Sequence, residues 1–439
     1  MVSHVLGAAG ATSADDAHAI KRKKAVLCTV VGSSLEFFDF ACYAYFATVI
    51  SHQFFSPTDH ATALIASFAV FGIGFVSRPL GAIFFGRLGD LKGRKFALLV
   101  ALPMMGAATV AIGLLPTYSA IGLAAPLLLV LCRLIQGFST GGEAGNAVAY
   151  LVEWAPPQRR GFYSSFAHAT AVSGTLVGSG LAAILSTTLD YASLEAWGWR
   201  IPFLFGGLVI APIGYYLRSK VEETPRYVTA VHDGEIASEA NRVDPAWRQC
   251  LKAIAFSSVW FVSYYVYMVY VPAFLTLHGH IRGADALWIT TAGFVMMVIC
   301  ILAAGLLSDA IGRKPPLLAG AIGFVFFSYP LFLLFLHSTS VLTVLLAILF
   351  CNALIGLIAG SCTAAMAEMF PTRLRTTGVS IGYGLSVTIF GGFASVISEL
   401  LIKLTGSELS PSFFVIATAL VSLSVVVTLK ETAHKPLVD

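Results

Sequence analysis

The stretch GRLGDLKGRK at residues 86–95 concentrates charge in a chain that is otherwise strongly apolar. Only 11% of the 439 residues are charged, yet this stretch holds Arg87, Asp90, Lys92, Arg94 and Lys95. A weaker copy, GLLSDAIGRK, occupies residues 305–314, half a chain further on. Apolar segments flank both copies, so we predict that each is a polar turn between buried helices in a chain built from two similar halves.

The composition indicates a membrane protein. Hydrophobic residues make up 57% of the chain and the mean hydropathy is +0.83, more than one water-soluble core of this length could cover. A spanning helix needs about 20 mostly apolar residues. Segments of this kind are predicted at 25–55, 61–88, 95–115, 119–150, 161–189, 198–218, 250–278, 284–308, 315–337, 341–369, 376–402 and 409–429. We therefore expect an all-α polytopic membrane protein with twelve transmembrane helices.

The distribution of positive charge predicts the orientation. If the amino terminus is cytoplasmic, 22 of the 27 Lys and Arg residues fall on the cytoplasmic side. The exceptions are Arg78, Arg133, Arg200, Arg282 and Lys403. By the positive-inside rule, both termini are expected in the cytoplasm. The expected location is the inner membrane of the cell. The cations are spread over loops and form no single stripe, so nucleic acid is not an expected partner.

Two further classes of feature are not expected. The apolar segment after KRKK at residues 21–24 contains Glu36 and Asp39 and is too long and too polar for a cleaved signal peptide. The seven Cys show no paired ligand spacing, so we expect free thiols, no metal site and no cofactor.

A polar stretch divides the apolar segments six and six. It covers residues 220–249 and is too short for an independent core, so we interpret it as a cytoplasmic linker. The predicted domains are a tail at 1–24, a six-helix bundle at 25–219, the linker, a second six-helix bundle at 250–430 and a tail at 431–439. A second echo supports duplication: EWAPPQRRG from Glu153 and EMFPTRLRT from Glu368 are 215 residues apart, close to the offset of 219 of the first motif.

Four charges lie where lipid-spanning helices should be apolar. Glu36 and Asp39 are three residues apart on one helical face of the first segment, and Arg78 and Arg133 fall near mid-depth in the second and fourth. A charge there costs at least about 2.5 to 3.5 kcal/mol and usually marks a pathway. One interpretation is a static salt-bridge network that holds the three segments together. The other is a site in which both Arg bind an anion and Asp39, Glu36 or Glu143 carries a proton.

Aromatic residues of the seventh segment are candidates for the opposite wall of a cavity. Tyr264 and Tyr267 are the preferred pair, because successive residues of a helix cannot share a face. Tyr383 of the eleventh segment is expected beside them. His168 on the fifth segment is interpreted as a packing residue in preference to a proton relay.

These motifs together resemble a known family. The chain is similar to transporters of the major facilitator superfamily, whose loops between spans 2 and 3 and spans 8 and 9 resemble the two charged stretches. Within it, LEFFDF, SRPLGAIFFGRLGD, RLIQGFSTGGEAGNA, RRGFYSSF and WGWRIPF resemble the metabolite/proton symporter family. That resemblance covers residues 25 to about 430 and implies a two-bundle fold with substrate at mid-membrane. It also implies that Asp90 with Arg94, and Asp309 with Arg313, form gating latches.

The resemblance also implies a substrate class. The family carries citrate, other di- and tricarboxylates, shikimate, or zwitterionic osmolytes such as betaine and proline. The stretches AIGLAAPLLLVLCRLIQGFS and TIFGGFASVISELLIKLTG look like citrate and tricarballylate carriers, and the tail lacks the heptad repeat of the best-known osmolyte carriers.

We therefore expect a monomeric secondary transporter that takes up a small organic anion with protons. The alternatives are a betaine or proline symporter and a transporter-like sensor that binds without moving its ligand. An enzyme is not expected, because the sequence has no His-Glu-x-x-His, Gly-x-Ser-x-Gly or phosphate-binding loop.

Overall fold

The computed structural model describes residues 34, 36–55, 60–92, 94–141, 148, 151–152, 155–220, 247–370 and 375–435, and it contains helices but no strand in these ranges. We number the membrane helices α1 to α12. Their bounds are 36–54 (α1), 60–92 (α2), Arg94–Leu114 (α3), Ala124–Thr140 (α4), Arg160–Thr188 (α5), 200–219 (α6), Trp247–Leu277 (α7), Gly283–Ile311 (α8), Lys314–His337 (α9), Val341–Glu368 (α10), 375–405 (α11) and Ser410–Thr428 (α12).

The helices have the length and surface of membrane spans. Nine helices of the described part could cross a membrane by length and composition, and α3 and α4 contribute shorter apolar helices. Large apolar side chains such as Phe326 and Leu404 stand on the outer surface, 69% and 73% exposed. Such a surface is stable against lipid and unstable in water. The prediction of an all-α polytopic membrane protein is confirmed.

The helices form two bundles of six, α1–α6 and α7–α12, as predicted. Within the first bundle, α4 packs on α2 and α3, and within the second, α12 packs on α7 and α9. The main contacts between the bundles join α5 to α8 and α10, and α2 to α11. A shift of six helices carries the α2–α11 contact onto the α8–α5 contact, which is the relation expected of two repeats facing each other across an axis.

Glycine lets some of these helices approach closely. A Cβ added to Gly137 of α4 would overlap the carbonyl oxygen of Gly74 in α2, and one added to Gly174 of α5 would overlap that of Ser34 beside α1. In lipid, contacts of this kind between backbones take the place of hydrophobic driving force.

In the described part of the chain, three of the numbered helices contain a π-helical segment: Gly206–Ile210 in α6, Tyr265–Tyr270 in α7 and Val387–Gly391 in α11. A further π segment, Leu194–Gly198, precedes α6. A π segment has more residues per turn than an α-helix and therefore changes which side chains share a face. Two of the three segments lie on helices at the junction of the bundles.

The bundles meet at both ends. We call the end with the α2–α3 and α8–α9 connections the motif face, and the end with the α7–α8 and α11–α12 connections the far face. At the motif face, backbone amides of Gly161 and Phe162 donate to Asp309, each at 2.8 Å. At the far face, Lys403 donates to Thr62 at 3.0 Å. Contacts between described residues therefore join the two bundles at both faces.

Candidate functional site

Two buried ion pairs connect the first, second and fourth helices. Arg78 Nη2 of α2 lies 2.7 Å from Glu36 Oε1 of α1, and Arg133 Nη1 of α4 lies 3.3 Å from Asp39 Oδ2 of α1. All four side chains are at most 7% exposed. Two cations and two carboxylates balance, as burial in a low-dielectric interior requires. The structure therefore brings together the four intramembrane charges that the sequence singled out.

A chain of hydrogen bonds extends the second pair to α3. Arg133 Nη1 donates to Gln136 Oε1 at 2.7 Å, and Gln136 Nε2 donates to Thr109 Oγ1 at 2.9 Å. Sequence reasoning missed Gln136 and Thr109. The available signal was that Gln136 is a second polar residue one helical turn after Arg133 in an apolar helix.

Aromatic rings take the place of water around the guanidinium groups. The ring centroid of Phe40 lies 4.7 Å from Arg78 Cζ and 4.3 Å from Arg133 Cζ. Phe75 lies 4.4 Å from Arg78 Cζ, and Tyr43 lies 4.6 Å from Arg133 Cζ. Desolvated cation–π contacts of this kind stabilise by about 2 kcal/mol each.

Several polar atoms of this cluster have no hydrogen-bond partner among the described residues. They are Arg78 Nε, Arg133 Nε, Arg133 Nη2 and Asp39 Oδ1. A buried donor without a partner costs about 1 to 3 kcal/mol, so such atoms tend to be reserved for a ligand or water. The guanidinium of Arg133 thus keeps two donors available for an anion.

A small cavity lies beside this cluster, at the junction of the two bundles. Residues of α1, α5, α7 and α11 line it, namely Phe37, His168, Ala171, Val172, Trp260, Phe261, Tyr264, Tyr265 and Tyr383. It has room for about one water molecule. The cavity joins the charge cluster through Tyr265, whose ring contacts Phe71 at 6.1 Å and Phe75 at 5.6 Å.

The tyrosines of α7 are not arranged as the sequence suggested. Tyr264 and Tyr383 line the cavity, and so does Tyr265, although it directly follows Tyr264. Tyr267 instead lies in the core of the second bundle, with its ring 5.5 Å from Phe324 and 5.7 Å from Phe332. The π segment that begins at Tyr265 changes the angular spacing, so the expectation from α-helical periodicity does not apply there. This placement does not support a ligand contact by Tyr267.

His168 spans the junction between the bundles. Its Nδ1 lies 3.0 Å from the carbonyl oxygen of Ala359 in α10, which requires the proton on Nδ1. Its ring lies 4.7 Å from that of Trp260. Nε2 has no hydrogen-bond partner among the described residues, so it is left as an acceptor at the cavity wall.

At the motif face, Asp309 pairs with Arg313 in the second bundle and also contacts α5 of the first bundle. Arg313 Nη1 donates to Asp309 Oδ1 at 2.7 Å, while Asp309 accepts the Gly161 and Phe162 amides in the first turn of α5. A carboxylate is favoured there because the helix amino terminus carries partial positive charge. Arg313 also donates to both oxygens of Glu368, at 3.2 and 3.0 Å. The two sequence echoes thus meet in one cluster.

Some predicted residues cannot be placed. The side chains of Asp90 and Arg94, and all of Glu143, lie outside the part of the chain that the structure describes. Asp309 and Arg313 therefore represent the second copy of the motif alone.

Comparisons with known proteins agree with this architecture. The model described as "Sugar (and other) transporter" matches residues 25–249, and the "Major Facilitator Superfamily" model matches residues 257–438. The D-xylose–proton symporter XylE bound to 6-bromo-6-deoxy-D-glucose superposes with a TM-score of 0.79 over 96% of this chain and 98% of that chain, at 18% identity. That likeness defines the fold class, an all-α fold of two six-helix bundles.

Relatives in bacteria are more similar in sequence. A proline/betaine transporter of Escherichia coli (strain K12) is 32% identical over 428 residues, which cover 95% of this chain and 85% of that protein. A citrate-proton symporter of Klebsiella pneumoniae is 34% identical over 399 residues, which cover 91% of this chain and 90% of that protein. The chain belongs to the major facilitator superfamily and, within it, to the metabolite/proton symporter family.

Proposed function

We propose that the protein is a secondary active transporter that takes up a small organic anion together with protons, by alternating access. The proposed substrate is a di- or tricarboxylate such as citrate. The observation that carries the proposal is Arg133, a fully buried guanidinium with two donors that no described residue accepts. Relatives named as a citrate-proton symporter support it.

The arrangement of the two guanidinium groups suits a substrate with more than one carboxylate. Arg78 and Arg133 lie against one ring, that of Phe40, so the distance between them cannot exceed the sum of their distances to it. Each guanidinium presents a planar fork that matches a carboxylate. Two forks in one cluster can therefore hold two carboxylates of the same small molecule.

Proton coupling follows from competition for these cations. Glu36 now pairs with Arg78 and Asp39 pairs with Arg133, so each acid contacts a guanidinium group that a substrate would occupy. When a substrate carboxylate replaces one of these acids, the acid would be a buried charge without its partner, and uptake of a proton neutralises it. Asp39 is the preferred carrier because its Oδ1 has no partner among the described residues; Glu36 and Glu143 stay candidates.

The proposed orientation puts the motif face in the cytoplasm. Arg313, Lys314 and most other cations of the chain belong to loops at that face. The contact of Asp309 with α5 would then hold the cytoplasmic side closed, and its release would open the site to the cytoplasm. The bacterial relatives indicate the inner membrane.

A second candidate substrate is a zwitterion such as betaine or proline. Trp260, Tyr264, Tyr265 and Tyr383 line the cavity, and aromatic rings of this kind recognise quaternary ammonium groups. The relatives named as proline/betaine transporters support this candidate as well as others support citrate. Both substrates carry a carboxylate, so the role of Arg133 is common to the two.

Uptake into proteoliposomes with an imposed inward proton gradient tests the proposal. We expect citrate to accumulate and the accumulation to vanish when an ionophore collapses the gradient. Accumulation of betaine without citrate would overturn the substrate assignment. Binding without counterflow of labelled solute would show a sensor in place of a transporter.

A further inference from the structure

Two histidine–carboxylate pairs occupy equivalent places at the far face of the two bundles. His52 near the end of α1 lies 3.3 Å from Glu195, and His278 directly after α7 lies 3.3 Å from Glu408, in both cases from Nδ1 to Oε1. Glu195 precedes α6, and Glu408 precedes α12. A shift of six helices therefore carries one pair onto the other.

The second pair is extended by a buried carboxylate. His278 Nε2 lies 3.8 Å from Glu399 Oε1 of α11, and Glu399 is 6% exposed. Tyr270 of α7 donates its hydroxyl to Glu399 Oε2 at 2.7 Å. The carboxyl of Glu399 thus connects the last turns of α7 to α11, and His278 lies between it and Glu408.

The surroundings of His278 favour its protonated form. The facing titratable groups are Glu399 from α11, Glu408 from the α11–α12 connection and Tyr270 from α7, while Phe274 packs on the ring at 5.1 Å. Lys403 of α11 donates a hydrogen bond to Thr62 of α2. At the start of α8, Arg282 pairs with Asp285. The nearby carboxylate of Glu399, together with that of Glu408, raises the pKa of His278 above its usual value, against the opposing effect of burial.

Tyr270 and Glu399 lie next to the contacts that join the two bundles at the far face. The ring of Tyr270 lies 6.1 Å from that of Phe68 in α2, and Lys403, one turn after Glu399, donates to Thr62 of α2. Both contacts join the second bundle to the first. Their position depends on how α7 and α11 are held together by Glu399 and His278.

We propose that Glu399, His278 and Glu408 form a proton-binding site that closes the outer gate of the transporter. The inference rests on the proposed function, in which the far face is outside and protons enter with the substrate. A proton on His278 gives an imidazolium that attracts both carboxylates, which draws the outer ends of α7 and α11 together and seats Tyr270 against Phe68.

The sign of this effect follows from the raised pKa of His278. In the open state His278 would face water and have the lower pKa, and the attraction is fully present at a pH below that pKa. The attraction is lost as the pH rises through the higher pKa that His278 has in the closed state. An acidic exterior therefore closes the outer gate, which is the step that a proton symporter must take after loading from outside.

The gate can be measured without any substrate. Spin labels at Ser119 and Ser407, both exposed at the far face, report the distance between the bundles in nanodiscs, in a background without accessible native cysteines. For the unmodified site we expect a shorter distance at about pH 5.5 than at about pH 8.5, with the change centred above the usual pKa of His.

Substitutions then assign the proton. His278→Gln should abolish the pH-dependent change, and Glu399→Gln should lower its midpoint by about 1 pH unit or more. His52→Gln is the matched control and should keep the midpoint. A pH-independent distance in the starting protein, or a normal midpoint in His278→Gln, would overturn the proposal. Failure of citrate or betaine uptake would count against the proposed function alone, since the distances need neither solute.

Discussion

Arg78 and Arg133 lie against the same phenylalanine ring, although they belong to different helices and pair with different acids. The ring of Phe40 is a face of high electron density that both cations use in the absence of water. The two halves of the charge cluster are therefore coupled through an apolar residue.

Phe40→Leu should destabilise the cluster. The change removes two cation–π contacts and leaves two guanidinium groups less well solvated, so we expect a loss of about 2 to 4 kcal/mol of stability. Thermal unfolding in detergent measures it. Phe38→Leu is the matched control, because Phe38 is equally buried but packs on Phe205. Equal losses in both variants would show that only packing matters.

Arg78→Lys and Arg133→Lys test the proposed anion site. Lysine keeps the charge but not the fork, so the apparent affinity for a carboxylate substrate should fall by about tenfold or more. Initial uptake rates at varied substrate concentration give this value. Arg200→Lys serves as control, since Arg200 donates to the carbonyl oxygens of Gly113 and Leu115 at the end of α3. Normal affinity in both test variants would favour a purely structural salt-bridge network.

Asp309→Asn should open the motif face. The amide keeps the shape of the side chain but loses the charge that the α5 amides and Arg313 now stabilise, a contribution of about 1.5 to 3 kcal/mol. A cysteine introduced beside Gly161 should react faster with a soluble maleimide. Asp285→Asn, in an exposed pair at the far face, should leave that rate unchanged, and an unchanged rate in Asp309→Asn would argue against a latch.

Tyr264→Phe and Tyr267→Phe should differ in effect. The hydroxyl of Tyr264 shares a 2.9 Å hydrogen bond with Thr175 of α5 and so crosses the junction of the bundles. Its loss should change the maximal rate of uptake several-fold. Tyr267 packs among phenylalanines of one bundle, so its variant should transport normally. The reverse order of effects would restore Tyr267 as a site residue.

Residues 431–435, which follow α12, should stay bound to the α8–α9 connection in acid, because Glu431 accepts from the backbone amides of Arg313 and Lys314. Burial alone would raise the pKa of Glu431, but the backbone amides of Arg313, Ala433, Lys314 and Thr432 donate to it and together hold its pKa below the usual value. The stabilisation is therefore present at neutral pH and is lost only as the pH falls through this lowered value.

Limited proteolysis across a pH series measures that docking. Glu431→Gln should expose the segment at neutral pH, whereas the unmodified protein should resist cleavage to below about pH 4. Release of the unmodified segment at mildly acidic pH would contradict the assignment.

The fold was largely predictable because a membrane span has a strong sequence signal. The apolar segment predicted at 341–369 is Val341–Glu368 in the structure, and the one at 284–308 is Gly283–Ile311. The six-and-six division followed from one polar stretch and two echoes. Length and hydropathy suffice for this, since the bilayer fixes both.

The charge cluster was visible for a related reason, whereas its pairing was not. Glu36, Asp39, Arg78 and Arg133 stand out in apolar helices, but which acid meets which base depends on helix rotation. The prediction that Tyr267 lines the cavity was wrong for the same reason, because the sequence contains no signal for the π segment that rotates this residue away. The pairs of His52 and His278 were missed since polar residues at helix ends are ordinary.

The size of the cavity between the bundles bears on how a substrate should be sought. Among the described residues this cavity has space for about one water molecule, so it admits no candidate solute until the bundles separate, and an equilibrium titration reports intrinsic recognition reduced by the fraction of open molecules. A ranking of compounds by binding affinity would then favour compounds that open the protein easily over compounds that the protein transports. Inhibition of the uptake of a labelled solute avoids that bias, because a transporter passes through every open state during turnover.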